Sequence, residues 1–178
     1  MKLPIIHEET VLSANTLKLS NDLVFARSNG GRIKLPAEVI ASIHSYVQND
    51  RHKPEGGGVM LGRYIIDSQD IVIDKISFPM SGDRGTRTTF FRKKKEHQKI
   101  IDREWAISRH TCTYLGEWHT HPEPYPSPSS IDDTNWKRKL RDDIVDSDSL
   151  IFLIVGTSEM RMWEGHRRSR MISLLKLL

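Results

Sequence analysis

His119 and His121 stand two positions apart, and Ser129 and Asp132 follow them closely. On an extended strand, residues two apart face the same side. A strand ending in His119-Thr120-His121 can therefore present two imidazoles to one ion, and Pro122 then stops its pairing. A further ligand has to come from elsewhere, and Asp132 falls in the first turn of an expected helix. Two histidines and a carboxylate leave one tetrahedral position open to water, the ligand count of a catalytic rather than a structural zinc site. Each piece also has a plainer explanation. Two histidines on a strand end are often packing or surface residues, and Ser129 with Asp132 resembles a capping box that lacks the preferred Glu or Gln. Cys112 is the single cysteine. It can form neither an internal disulfide nor a thiolate zinc site, so a metal must sit on nitrogen and oxygen, and the chain suits a reducing cytosol.

Taken together, His119-x-His121, seven residues, Ser129, two residues and Asp132 resemble the motif of the JAMM (MPN-plus) metalloprotease family. Upstream, Glu55-Gly56-Gly57-Gly58-Val59-Met60-Leu61-Gly62 is similar to the glutamate and glycine-led strand of its prokaryotic JAB form, and Tyr114–Trp118 is similar to its approach to the histidines. The resemblance spans roughly residues 33–165 and is closest to the deconjugase of bacterial CBASS anti-phage operons. It implies an α/β single-domain MPN fold, a mixed β-sheet flanked by helices and cytidine-deaminase-like, over 33–178. Residues 1–32 would be a β-rich extension of the same domain.

The same resemblance implies one Zn²⁺ held by His119, His121 and Asp132, with Glu55 as proton acceptor and Ser129 as oxyanion donor. Zinc lowers the pKa of a bound water from roughly 15.7 to about 7, and a carboxylate must carry the released proton to the leaving amine. On the residues alone, Glu55 after Pro54 reads as a solvent-facing loop position. The implied activity is a zinc-dependent isopeptidase cutting after the C-terminal residue of a ubiquitin-like modifier or conjugated protein. In the CBASS form, a CD-NTase (a cyclic oligonucleotide synthase) is released from its targets. A desampylase-like or sulfur-carrier-processing peptidase is the neighbouring alternative, and a catalytically inactive MPN scaffold is the alternative of another class. An extended substrate tail would lie between Pro122–Pro128 and Gly82–Thr89, against Glu123, Tyr125, Arg87 and Thr88. Glu117 shares the parity of the histidines, but is expected to partner a basic group rather than the metal.

The 178 residues carry 27 Lys and Arg against 23 Asp and Glu, a net charge of +4. The clusters Arg92–Lys95, Lys137–Lys139 and Arg167–Arg170 have no interleaved aromatic motif, so no nucleic-acid partner is expected. No apolar run reaches the ~18 residues that a membrane helix needs. The N-terminus lacks an apolar signal core, so a cytoplasmic protein is expected.

The elements that must position the site follow from periodicity. Weak β structure is expected over 10–35, with a turn at Ser28–Gly31, and a helix over 36–48 with Pro36 as its first residue. Val59–Ile66 and Ile71–Phe78 read as strands, and Thr86–Phe91 as a short β-prone stretch. A helix is expected over 93–108 with Ile100, Ile101 and Trp105 on its apolar face. Thr113–His119 is a strand, Ile131–Asp143 a helix, and Leu150–Val155 and Met160–Trp163 closing strands. Met171–Leu177 fits either a strand or a helix. Strands outnumber helices.

Overall fold

The computed structural model describes residues 21–145 and 147–178. The elements in chain order are β1 (Leu23–Ala26), β2 (Arg32–Leu35), α1 (Ala37–Ile43) with a 3₁₀ turn at His44–Tyr46, β3 (Gly57–Tyr64), β4 (Ile71–Ile76), β5 (Arg84–Gly85), β6 (Phe90–Phe91) and α2 (Lys94–Ile107). There follow β7 (Thr113–Thr120), α3 (Ser130–Asp142), β8 (Ser149–Val155), β9 (Met160–His166), β10 (Ile172–Leu174) and β11 (Lys176–Leu177). As expected, strands outnumber helices among the described residues. The expectation of β structure over 10–20 lies outside them.

Nine strands form one mixed sheet in the order β10-β9-β8-β7-β3-β4-β2-β1-β11, while β5 and β6 pair separately as a hairpin. β10 and β11 sit at opposite ends of that order, yet Leu175 alone separates them in the chain. The sheet must therefore curl until its edges meet, which makes it a nearly closed one. The buried Leu175 donates its N–H to the Met162 carbonyl at 2.8 Å. Across the seam, the Arg27 guanidinium at the end of β1 reaches Oε1 of Glu164 on β9 at 2.6 Å, both side chains being buried.

β8 shows why a strand can be apolar at nearly every position. Its Ile151, Leu153 and Val155 enter a core with Phe25, Ile33 and the α1 residues Val39, Ile40 and Ile43. Leu150, Phe152 and Ile154 enter a second core with Val59, Leu61 and the α3 residues Trp136 and Leu140. The two sides of the same sheet thus anchor α1 and α3.

Several expectations need correction. Pro36 precedes α1 as its N-cap, with ψ 150, and the first helical N–H, that of Ala37, donates to Asp22 Oδ1 at 2.9 Å. The helix expected to 48 ends at Ile43 and tightens into the 3₁₀ turn. The buried residues of α2 are His97 and Glu104, while Trp105 is 43% exposed and stacks on His110. Ile100 and Ile101 pack half-buried against the second core as expected, but apolar periodicity wrongly added Trp105 and missed His97 and Glu104, polar residues that bring their own partners. Glu104 accepts from Lys75 at 2.5 Å, and His97 is bonded on both ring nitrogens. The chain after Met171 forms two short strands rather than one. No helix among the described residues is long and apolar enough to cross a membrane.

Candidate metal centre

Strand register assembles the centre. β3 and β7 run antiparallel with Gly57 opposite His119, so the position two before Gly57 falls opposite the position two after His119. Those residues are Glu55 and His121, and Glu55 Oε1 lies 3.8 Å from His121 Nε2. Along β7, Trp118 points into the first core, and on the same side of the strand the Thr120 hydroxyl donates to Gln48 Oε1 at 3.1 Å. The intervening Glu117 and His119 face a hollow beside α3. Gly57 is required for close approach: a Cβ there would stand 2.7 Å from Phe90 of the hairpin and from the Trp118 carbonyl.

α3 delivers the carboxylate. Ser129 caps it, accepting from the Asp132 N–H at 3.2 Å, while Ser129 donates its own N–H and hydroxyl to Asp132 Oδ2 at 2.7 and 2.6 Å. This is the capping box that the spacing suggested, with Asp in the Glu position. It fixes the carboxylate rotamer. It also commits the Ser129 proton to Asp132, so a donor role toward substrate requires that hydroxyl to turn.

His119, His121 and Asp132 bring one ligand atom each within 4.8 Å of one another. The separations are 3.0 Å between the two Nε2 atoms, 3.2 Å from His119 to Asp132 Oδ1 and 3.4 Å from His121 to Asp132 Oδ2. Tetrahedral ligands at the Zn–N and Zn–O distance of about 2.0–2.1 Å stand about 3.3 Å apart. The nitrogens and their nearest carboxylate oxygens stand at about that spacing, the two histidines facing different oxygens of Asp132, and the residues fit a metal ion.

Electrostatics separates the two carboxylates. Burial opposes ionisation of Asp132, but hydrogen bonds from His119, His121 and Ser129 outweigh it and hold the group far below the usual carboxylate range. Burial would likewise push the His121 imidazole down, yet the Asp132 hydrogen bond and the nearby Glu55 and Glu123 carboxylates raise it overall. Glu55 is 5% exposed rather than solvent-facing. Burial dominates there and pushes its pKa up to about 8, with Asp132 and Glu123 adding to the rise and His121 opposing it. An ion among these residues would lower that value.

The other expected residues are dispersed. Thr88 lines the hollow beside the centre. Glu123 lies 3.9 Å from His121 Nδ1. Arg87 donates to the Asp50 carbonyl at 2.6 Å, and Tyr125 packs under Arg161. Glu117 accepts from Lys139 at 2.7 Å and from Arg92, the basic partners expected for it.

A second polar cluster went unnoticed in the sequence, since no local spacing links its members. Ser77 Oγ lies 2.6 Å from His97 Nδ1, and His97 Nε2 lies 2.9 Å from Asp83 Oδ2. Its order imitates a hydrolytic triad, but His97 is 0% and Ser77 2% exposed, so no substrate reaches it. It is a brace. The Ser77 carbonyl accepts from Trp118 Nε1 at 2.9 Å and thereby ties α2 and the 80–83 loop to the strand that carries His119. His97→Ala takes one partner each from the Ser77 hydroxyl, which keeps the Val59 N–H, and from the Asp83 carboxylate, which keeps the Met80 and Lys93 N–H groups, and should cost about 1–3 kcal/mol, read as a lower urea midpoint. A loss below about 1 kcal/mol would show that the brace is dispensable.

Residues 36–168 match the family described as prokaryotic homologs of the JAB domain. A CD-NTase/cGAS isopeptidase of Vibrio cholerae is 34% identical over 155 residues, 87% of this chain and 94% of that one. A protein of the same description from Escherichia coli is 35% identical over 156 residues, 88% and 95% of the two chains. Among solved structures, the protein DSY2949 of Desulfitobacterium hafniense superposes with a TM-score of 0.53 at 16% identity, covering 77% of this chain and 85% of that one. That likeness is one of fold.

Proposed function

Because this chain belongs to the family of prokaryotic homologs of the JAB domain, a family of hydrolytic metallopeptidases, we propose that it is a zinc-dependent isopeptidase that releases a CD-NTase from proteins joined to its C-terminus, in CBASS anti-phage defence. The supporting observation is the meeting of Glu55 with His119, His121 and Asp132, from three separate parts of the chain, around one point. The donor set is complete, which weighs against an inactive scaffold. The relatives' names supply the substrate class.

A Zn²⁺ held by His119, His121 and Asp132 would supply a Lewis acid and an acidified water. Glu55 takes the water's proton and delivers it to the leaving amine, working from a buried position where its affinity for a proton is raised. Ser129, once its hydroxyl turns from Asp132, donates to the developing oxyanion. The substrate tail would run beside the hairpin of β5 and β6. That wall is ordered in advance: the Glu55 N–H donates to the Thr86 carbonyl at 2.7 Å and Gln48 Nε2 to the Arg87 carbonyl at 2.9 Å. Pairing of β1 within the same sheet supports the reading of 21–32 as an extension of the one domain, while residues 1–20 of that expectation lie outside the described residues.

Three fusions compared side by side test the assignment: a CD-NTase tail, ubiquitin and a small sulfur carrier, each followed by a reporter protein. Cutting of the CD-NTase fusion immediately after its C-terminal residue is expected. Cutting of the sulfur carrier alone would replace the CBASS reading by a sulfur-carrier-processing one.

A further inference from the structure

We propose that the hollow beside the metal centre is an acid-selecting subsite, which seats an Asp or Glu side chain of the cleaved protein, close to the scissile bond, against Arg92, Lys94, Arg138 and Lys139. This deepens the isopeptidase reading and rests on it.

The hollow is bounded by Thr88–Phe91 of the hairpin on one side and by Ile131, Asn135 and Arg138 of α3 on the other, and it opens at one end onto Glu55, His119 and Asp132. Its charges do not balance. Once Glu55 and Asp132 are assigned to the metal centre, Glu117 is the one carboxylate left in the lining, against four cations. Arg92 and Lys139 converge on the same oxygen of Glu117, Oε1. Two cations on one carboxylate leave an excess of positive charge in a largely buried place, which Asp143 offsets only from outside the hollow's lining. Arg92 also keeps a buried Nε with no hydrogen-bond partner, which leaves a guanidinium edge with unmet donor capacity.

The two outer cations are held loosely. Arg138 donates to Asn135 at 3.1 Å and has no ion pair among the described residues. Lys94 has Asp143 Oδ1 at 3.7 Å, with its own side chain 73% exposed. Inner cations fixed by Glu117 and outer cations free to close make a carboxylate receptor. The field in such a partly desolvated cleft is stronger than on open surface, and the guanidinium fork matches a carboxylate.

Selection should act on one side of the bond only. Across the hairpin, a second hollow also reaches Glu55 and Phe90, but Tyr46, Pro54, Pro79 and Met80 supply its apolar wall and its other charges, Lys53 and Asp83, are of opposite sign. A tail crossing Glu55 would therefore pass from an apolar surface to a cationic one.

The test uses the full chain with zinc and a series of CD-NTase-tail fusions in which each residue flanking the cut is set in turn to Asp, Glu, Ala or Lys. At one position, on one side of the cut, kcat/KM for Asp or Glu should exceed that for Lys by at least ~10-fold, mainly through KM. The gap should shrink as salt rises from about 50 to about 500 mM. The double variant Lys94→Glu with Arg138→Glu should reverse the preference in favour of Lys, while zinc content and melting temperature stay at wild-type values. Equal kcat/KM for all side chains at every position, with the fusions cut normally, would overturn the subsite and leave the isopeptidase intact. A double variant that keeps the acid preference would overturn it too. Cutting of none of the fusions would overturn the isopeptidase reading, and the subsite with it.

Discussion

Glu55→Gln is expected to keep its zinc and to lose at least ~100-fold in kcat. The substitution preserves side-chain volume in a position that is 5% exposed, so no cavity opens. It removes the buried carboxylate that faces the ligand nitrogen of His121, whereas Glu123 stands on the Nδ1 side of that ring and is not touched. The pH profile supplies a second reading. Burial raises Glu55, to about 8 without a metal, and a base works only when ionised. Activity should therefore rise with pH as Glu55 loses its proton, with a midpoint brought below 8 by the charge of the ion. In Glu55→Gln that limb should vanish. A variant with near-normal turnover and an unchanged limb would remove Glu55 as the base, and Glu117 would be the next carboxylate to test.

His119→Ala and Asp132→Ala should each release the ion and abolish cleavage. The fall should exceed about 10³-fold, the upper cost of deleting a single oxyanion donor, because the Lewis acid and the acidified water go together. Metal analysis of the purified variants should find far below one zinc per chain, and a chelator should bring the wild-type protein to the same state. Asp132→Ala carries an added cost, since Ser129 loses the acceptor for both its N–H and its hydroxyl. It should melt lower than His119→Ala. Full zinc in both variants would dismiss this donor set.

What the sequence made legible depended on distance along the chain. The shared face of His119 and His121 follows from strand parity over three residues, and the capping box from a spacing of three. Both are local, and the geometry contains both. The position of Glu55 opposite His121 depends on the register between β3 and β7, across more than sixty residues. Only the resemblance to a family suggested it, and the residues alone favoured an exposed loop. Hydrophobic pattern found the helix at Lys94–Ile107 and, through Ile100 and Ile101, part of its inner face, but not the buried His97 and Glu104 that complete it. A histidine gripped between Ser77 and Asp83 looks, in one dimension, like any polar residue. The cationic hollow was visible as scattered basic clusters, without the single carboxylate that draws two of the cations together.

The meeting of the sheet's two edges sets an order of events during synthesis. Phe25 of β1 pairs with Leu177 of β11, so a strand made early waits for one translated 152 positions later (177 − 25). Until then Leu23–Ala26 can pair with β2 but offers its other edge to any passing strand, and Glu164 of β9 and Arg27 lack the final enclosure of the seam. Long-range pairing of this kind is slow to form and leaves partly folded chains open to association. The ribosome-bound chain can pair β3 with β7, the strand that carries His119, well before it can seal its sheet. Sealing is thus a late step, and its rate rather than the assembly of the metal centre should set how long a newborn chain remains sticky.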